Sequence, residues 1–374
     1  MLDPILGIVR DEKLILRLNG DLDVILSMVV TDETDSTGNL NTLPVSTFNA
    51  GKSNVFTTQL DSITYGIHHN RFESNDIPIL SQTYIPTDTL GNRMLGALLD
   101  VEPSIDSSHS IAFIADSTSL IAGLLKIDSL GLPQAALGFS VNQSVFPNSI
   151  FQLLSIATAP DTTNIMTGII LDMIAGSITN VVLRTDINGN VIWSKILDTS
   201  NSGFIAQVND IITTSQDEIA VSGKYLNLTA GLVVGDFTIF FDLNGNLIRQ
   251  VDHSSVNSFF SDGVIVLPTA ELSNAADEST FYTTTGLDLT NGNLGNFMIK
   301  MDSIGNAMCS DTFSMGPIID LEIFTDTLNI ELENFAILDS IEIETTNFNG
   351  FSTCLLYTSP SPRDATLSRM PSSA

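Results

Sequence analysis

Hydrophobic and polar positions alternate along this chain in short runs that end at turn residues. Val181 and Leu183 are placed to face one way along one such run. Val182 and Arg184 are placed to face the other way. Alternation with a period of two is typical of β-strands. The Asn-Gly pair that ends at Gly189 leads into a second alternating run, and glycine tolerates the positive φ that a tight hairpin turn needs.

The same hairpin recurs at a nearly constant interval. Four segments carry Asp-x-x-Gly between two apolar runs, and their aspartates at 128, 186, 242 and 302 are 58, 56 and 60 residues apart. The paired turn positions are Asp128 and Gly131, Asp186 and Gly189, Asp242 and Gly245, and Asp302 and Gly305. A weaker copy runs from Asp61 to Gly66, and a shortened one lies around Gly20.

Each unit also contains an upstream hairpin, so about 57 residues hold four short strands and almost no helical pattern. Tandem four-stranded antiparallel units are typical of β-propeller blades. A solenoid would have shorter repeats, and a sandwich would not repeat. The sequence therefore predicts an all-β propeller of about five to six blades, with a ring that can be incomplete in this stretch of sequence.

The predicted boundaries follow the turns. The propeller repeats cover 1–316, a strand-rich appendage covers 317–354, and a disordered segment covers 355–374. The predicted blades are 1–33 (partial), 34–93, 94–147, 148–204, 205–259 and 260–316.

The two ends of the chain differ in pattern from the repeats. Residues 355–374 are rich in Ser and Pro and do not alternate, and they resemble translated sequencing-adapter DNA in an environmental reading frame. A genuine disordered tail is the alternative interpretation. The first residues carry no cationic leader or cleavage site. Together these features indicate a metagenomic fragment of a longer protein.

Composition narrows the functional classes. Lys and Arg number 14 against 43 Asp and Glu, which gives a net charge of −29, and 43% of residues are hydrophobic. That apolar fraction supports a buried core, and the negative field opposes nucleic-acid binding. No run is long and apolar enough for a membrane-spanning helix. We expect a monomer whose surface ligand, protein or glycan, is unknown.

Candidate chemistry is sparse. The four histidines lack the spacing of a metal site, and we expect them in solvent or in turns. Two turns crowd oxygen ligands and are weak calcium candidates, although hairpin geometry explains them equally well. Their residues are Asp186, Asn188 and Asn190, and Asp242, Asn244 and Asn246. No catalytic or cofactor-binding motif stands out, and no cofactor other than calcium is considered.

The segment Arg184–Lys195 resembles the repeat of secreted bacterial β-propeller proteins, many of which carry a type IX secretion sorting domain. The resemblance covers roughly residues 55–354. Only Trp193 fills the tryptophan position, and the equivalent positions hold Ala135, Arg249 and Cys309. The sorting domain itself is absent from this sequence. The resemblance implies an extracellular or cell-surface protein.

The resemblance also implies a disulfide between the two cysteines of the chain, Cys309 and Cys354. Such a bond would close a loop of 45 residues and add roughly 4 kcal/mol of stability on the loop-entropy model. Two free thiols are the alternative.

The expected function is a non-enzymatic exported or cell-surface module for interaction or scaffolding. One alternative is a propeller enzyme or glycan-binding protein with its site in the central funnel. Another is a passenger whose work is done by a neighbouring domain. A funnel lined by inward carboxylates or histidines would favour the enzyme.

Overall fold

A computed structural model describes the backbone of most of the repeat region. The described residues are 12–16, 22–26, 42–43, 53–59, 65–72, 78–88, 90–103, 108–116, 120–198, 204–227, 233–253, 264–274, 279–288, 293–302, 305, 311–312 and 316–334. Every regular element within them is a β-strand, and every pairing is antiparallel. The all-β prediction is confirmed.

The strands form one hairpin and five larger sheets that follow one another along the chain. The hairpin pairs β1 (Glu12–Leu16) with β2 (Leu22–Leu26). Sheet 1 contains β3 (Thr42–Leu43), β4 (Ser53–Gln59), β5 (Tyr65–Phe72) and β6 (Pro78–Thr87). Sheet 2 contains β7 (Leu95–Pro103), β8 (His109–Asp116), β9 (Leu120–Ile127) and β10 (Pro133–Val141).

The next three sheets follow the same plan, in which each strand pairs with the one that follows it in sequence. Sheet 3 contains β11 (Ser149–Thr158), β12 (Asn164–Asp172), β13 (Ile178–Thr185) and β14 (Val191–Leu197). Sheet 4 contains β15 (Phe204–Thr213), β16 (Ile219–Asn227), β17 (Val233–Phe241) and β18 (Leu247–Asp252). Sheet 5 contains β19 (Val264–Asn274), β20 (Thr280–Asp288) and β21 (Asn293–Met301).

The segment after sheet 5 returns along the outer edges of the earlier sheets, and we call its described residues, 311–312 and 316–334, the belt. Its strands are β22 (Asp311–Thr312), β23 (Ile318–Asp320), β24 (Ile323–Thr327) and β25 (Asn329–Asn334). They pair with the last strands of sheets 4, 3, 2 and 1, in that order. Four sheets therefore have five strands.

The belt differs from the predicted appendage after residue 317. An outer strand without a neighbour leaves a row of N–H and C=O groups unpaired. The belt supplies partners for those groups on four sheets, so its strands join existing sheets. A pattern of short alternating runs predicts strands, but it carries no information about which distant edge they pair with.

The hydrophobic core lies between successive sheets. One buried cluster joins sheets 1 and 2, a second joins sheets 2 and 3, a third joins sheets 3 and 4, and a fourth joins sheets 4 and 5. Each middle sheet is thus covered on both faces. Val181 and Leu183 face sheet 2, while Val182 faces sheet 4, which confirms the alternation expected for this strand.

The belt also contributes to these cores. Ile323 is 8% exposed and packs in the cluster between sheets 2 and 3. Ion pairs fasten the belt from outside: Arg93 binds Glu331 and Glu333, and Lys195 binds Asp320. The belt is therefore held by backbone pairing, apolar packing and charge.

Two findings close the description of the fold. No helix among the described residues is long and apolar enough to cross a membrane. Residues 338–374 form a separate unit outside the described part of the chain, and the predicted disordered segment 355–374 lies within it.

Candidate functional site

The repeated Asp-x-x-Gly turns join the third strand of a sheet to the position that follows it. In the turn at Asp186, the Gly189 N–H donates to the Asp186 carbonyl at 2.9 Å. Carboxylate Oδ1 of Asp186 accepts the N–H groups of Asn188 and Asn190, both at 2.8 Å, and Oδ2 accepts the Asn190 amide at 2.8 Å. The Asn190 amide is the largest cause that lowers the pKa of Asp186.

The other turns repeat this geometry. At Asp242, Oδ1 accepts the backbone N–H groups of Asn244 and Asn246. At Asp128, Oδ1 accepts two backbone N–H groups, and at Asp302 the Gly305 N–H donates to the aspartate carbonyl. Sequence reasoning missed a further copy at Asp88, only 40 residues before Asp128. Its short spacing removes it from the 57-residue period.

Each set of calcium candidates therefore lies within a single turn whose carboxylate oxygens are already engaged. Both carboxylate oxygens of Asp186 and Asp242 accept hydrogen bonds from within the turn. Within the described residues, no group of three or more His, Cys, Asp or Glu side chains could hold a metal ion. Calcium binding at these turns stays a prediction.

The repeat glycines have a second role beyond their backbone conformation. Gly131, Gly189, Gly245 and Gly305 have φ between 79° and 85°. A Cβ atom on each would meet a side chain of the preceding sheet: Leu80, Leu137, Trp193 and Phe240, respectively. The turn of each sheet thus docks onto its predecessor, and glycine is required for both the φ angle and the close approach.

Polar side chains fasten the same docking contacts. Lys126 of sheet 2 donates to the Ile187 carbonyl in the next turn at 3.3 Å. Arg184 of sheet 3 donates to the Leu243 carbonyl, and the Trp193 indole donates to that carbonyl at 3.0 Å. We call the end of the sheets that carries these turns the turn end.

The position that lacks tryptophan in sheet 4 uses a cation instead. Arg249 lies 3.8 Å from the centroid of the Phe240 ring and forms a two-pronged ion pair with Glu218. Ala135 of sheet 2 is only half-buried, and Leu137 meets the next glycine. The uneven aromatic supply noted in the sequence is thus compensated by other side chains. Cys309 lies outside the described residues.

A row of polar contacts runs along the first strands of sheets 2 to 5, namely β7, β11, β15 and β19, which we call the inner strands. β7, β11 and β15 each have a bulge, where the register shifts at Asp100, Ser155 and Asp210. A bulge leaves an extra residue unpaired and re-aims its side chain. These three side chains meet one another across the sheets.

The central contacts are short. Ser155 Oγ lies 2.7 Å from Asp100 Oδ2 and 2.7 Å from Asp210 Oδ1. Asp100 Oδ2 also accepts the Ile156 N–H at 2.9 Å, and Asp210 Oδ2 accepts the Leu272 N–H at 2.6 Å. One aspartate therefore links sheet 2 to sheet 3, and the other links sheet 4 to sheet 5.

Two further contacts continue this row. The Leu98 N–H of sheet 2 donates to Thr57 Oγ1 of sheet 1 at 2.9 Å. Asn180 of sheet 3 accepts the Val208 N–H at 2.8 Å and donates to the Ala206 carbonyl at 2.9 Å. Each junction between neighbouring sheets thus has a polar link. Burial raises the pKa of Asp210 to about 7, and the charge of Asp100 contributes to the same shift.

A buried ion pair lies between sheets 4 and 5. Lys224 and Asp236 are directly opposite on β16 and β17, and Lys224 Nζ lies 3.5 Å from Asp236 Oδ1. Burial lowers the lysine pKa and raises the aspartate pKa, and each partner's charge opposes the shift of the other. His253 contacts Thr238 Oγ1 at 3.0 Å, and its ring lies 5.8 Å from that of Tyr282.

The expectation that the histidines are solvated or in turns was wrong. His68, His69, His109 and His253 are all at most 7% exposed. The rings of His69 and His109 meet between sheets 1 and 2, with centroids 5.1 Å apart. Burial is the main cause that lowers the pKa of His69 to about 3 and that of His253 to about 4. These two imidazoles are neutral interior groups.

The inner polar residues were not found from the sequence. Asp100, Ser155 and Asp210 are 55 residues apart, close to the repeat period. Asp100 precedes its repeat aspartate Asp128 by 28 residues, whereas Asp210 precedes Asp242 by 32. These unequal offsets hide the equivalence, and an alignment with gaps could have detected it. The predicted disulfide partners Cys309 and Cys354 lie outside the described residues.

Comparisons with known proteins add no relative. Neither the models of protein families nor the curated protein sequences gave a match to this chain.

Proposed function

We propose that this chain is a β-propeller, with its successive sheets as blades, that acts as a non-enzymatic interaction or scaffold module outside the cell. Support comes from sheets that repeat along the chain and share a core with each neighbour. Repeated blades packed side by side are the plan of a propeller. The belt supports the same interpretation because it joins four outer edges into one unit.

The observation that carries the functional proposal is the use of the inner polar side chains. Thr57, Asp100, Ser155, Asn180 and Asp210 all hydrogen-bond to a neighbouring sheet. A catalytic carboxylate must reach its substrate. These carboxylates instead hold backbone N–H groups of adjacent sheets, which supports a structural role for the interior and leaves binding to the surface.

The turn end is the surface we propose for binding. Leu90, Leu130 and Ile187 occupy the tips of three successive turns and are 85%, 71% and 57% exposed. Loops on a rigid scaffold commonly carry binding residues. At the opposite end of sheet 3, Met173 and Ile174 are 60% and 78% exposed, which offers a matched control.

Binding can be tested with purified full chain on arrays of extracellular glycans and peptides. We expect saturable binding that is reduced at least tenfold when Leu90, Leu130 and Ile187 are all replaced by serine. Replacement of Met173 and Ile174 by serine should leave binding unchanged. Equal loss in both variants, or no binding by the wild type, would contradict the proposal.

The second candidate is an enzyme or glycan-binding protein with its site at the inner strands. The pKa of Asp210, raised to about 7, is the observation that favours it, because general acids are often tuned in this way. Turnover of glycoside or ester substrates that disappears in Asp100→Asn, with the fold intact, would establish this alternative.

Export is a proposal that rests on the sequence resemblance. Recovery of the flanking reading frame should reveal a signal peptide and a sorting domain. The disulfide can be tested separately by mass mapping of non-reduced protein, which should recover a linked peptide pair containing Cys309 and Cys354. Two free thiols in folded protein would refute that pairing.

Ring architecture and oligomeric state need their own measurements. Electron microscopy of the full chain should show a disc with a central channel, whereas an open row of sheets would give an elongated particle. Light scattering should give the mass of a monomer, about 40.2 kDa.

A further inference from the structure

The contacts of Ser155 impose a limit on protons. Its Oγ lies 2.7 Å from a carboxylate oxygen of Asp100 and 2.7 Å from one of Asp210. Both distances are typical of full hydrogen bonds between oxygens. A serine hydroxyl has one proton to donate, and an ionised carboxylate can only accept. With both aspartates ionised, one of the two contacts would join lone pairs without a proton.

We propose that Asp100, Ser155 and Asp210 hold one additional proton on Asp210, which makes the junction of the inner strands a pH-sensitive link between sheets 2, 3 and 4. The Asp210 carboxyl donates to Ser155 Oγ, and the Ser155 hydroxyl donates to the Asp100 carboxylate. Every oxygen in the two short contacts then has a suitable role.

The surroundings of the two aspartates indicate which one carries the proton. Asp100 accepts backbone N–H groups from Val101 and Ile156, and Asp210 accepts them from Ile211 and Leu272. Their hydrogen bonds are therefore similar. The Asp210 carboxyl is deeply placed, and burial is the main cause that raises its pKa. The neutral form is favoured there because burial penalises charge.

The strands around Asp210 contain few titratable groups. β7 carries Asp100 and Glu102, and Asp100 is the one whose charge acts on Asp210. β11 has no titratable residue, and the side chain of Glu271 on β19 is not among those described. Within the described side chains, no cation forms an ion pair with Asp210 that would offset the repulsion from Asp100.

The raised pKa has a definite sign in folding. An aspartate in the unfolded chain loses its proton near pH 4, whereas folded Asp210 keeps it to about pH 7. Between these values the folded state binds one more proton than the unfolded state. The ratio of folded to unfolded protein should therefore fall up to tenfold per pH unit through this range and become level above it.

Urea unfolding from pH 4.5 to 8.5 tests this link in the full chain. Asp210→Asn keeps the shape of the protonated acid, because its amide can donate to Ser155 Oγ. The wild type should lose stability relative to this variant as pH rises, by up to tenfold per unit. The comparison must be differential, since neutral His69 and His253 contribute the opposite slope over much of the same range. Asp217→Asn, at an exposed turn, is the control and should follow the wild type.

A direct titration keeps the test independent of variant folding. In wild type labelled with ¹³C at aspartate carboxyls, one resonance should titrate above pH 6. Asp100→Asn removes the neighbouring charge, so the midpoint of that resonance should fall. The proposal is overturned if no such resonance responds to Asp100→Asn, or if Asp210→Asn follows the wild-type pH profile.

Discussion

Gly245 in the turn of sheet 4 lies against the indole ring of Trp193 in sheet 3. A Cβ atom on this glycine would lie 2.8 Å from Cδ2 of the ring, inside normal contact distance. The repeat glycine thus serves the hairpin and the packing of two sheets at the same time. This relationship explains why the turn and the spacing recur together.

Gly245→Ala should destabilise the fold by about 2–4 kcal/mol. About 1–2 kcal/mol arises from an alanine at φ 79°, and the remainder from crowding against Trp193. Gly91→Ala is the control, because Gly91 has φ 82° and nothing lies within 4 Å of the position that an added methyl group would occupy. Urea unfolding should give a smaller loss for Gly91→Ala, and equal losses would exclude a role for the sheet contact.

The belt should contribute stability through its buried side of β24. Ile323→Ala is expected to cost about 2–4 kcal/mol, since Ile323 is 8% exposed in the core between sheets 2 and 3. The neighbouring Phe324 is 44% exposed, so Phe324→Ala should cost under about 1 kcal/mol. Chemical denaturation of both variants checks the difference. A reversed order would place the belt differently on sheet 2.

Arg184 should matter more than Arg93. The side chain of Arg184 is 8% exposed and binds Asp161, Thr163 and the Leu243 carbonyl. Its replacement by alanine leaves a buried carbonyl with one donor fewer and should cost about 2–3 kcal/mol. The Arg93 pairs with Glu331 and Glu333 are at least a third exposed, so Arg93→Ala should cost about 1 kcal/mol or less. Thermal and urea unfolding compare the two.

Acid should weaken the turn at Asp186. Hydrogen bonds to its carboxylate lower its pKa below the unfolded value. The stabilisation is therefore present above about pH 4 and is lost as pH falls through the folded pKa. Asp186→Asn should be less stable than the wild type at neutral pH and should approach it in acid. A stability difference that does not change with pH would argue against the carboxylate contacts.

Calcium removal should leave stability unchanged at the repeat turns. The oxygens of Asp186 and Asp242 already accept hydrogen bonds from their own turns. We expect the same melting temperature in calcium and in EGTA. A melting temperature lowered by EGTA in the wild type, but not in Asp186→Asn, would instead establish a calcium site.

The sequence by itself determined the local structure. Period-two alternation predicted the strands, and Asp-x-x-Gly predicted the turns, because both depend on contacts between residues close together in the chain. Charge was less informative at this level: Glu331 and Glu333 are two among many acidic residues, and their pairing with Arg93 depends on where β25 lies.

Tertiary structure alone decided which distant groups meet. Asp100, Ser155 and Asp210 converge because bulges turn three inner strands towards one another, and Ile323 is buried because β24 pairs with β10. Backbone pairing along an edge is nearly independent of side chains, so the sequence pattern does not specify its partner. The buried histidines follow the same rule, since their burial depends on sheets stacked from remote segments.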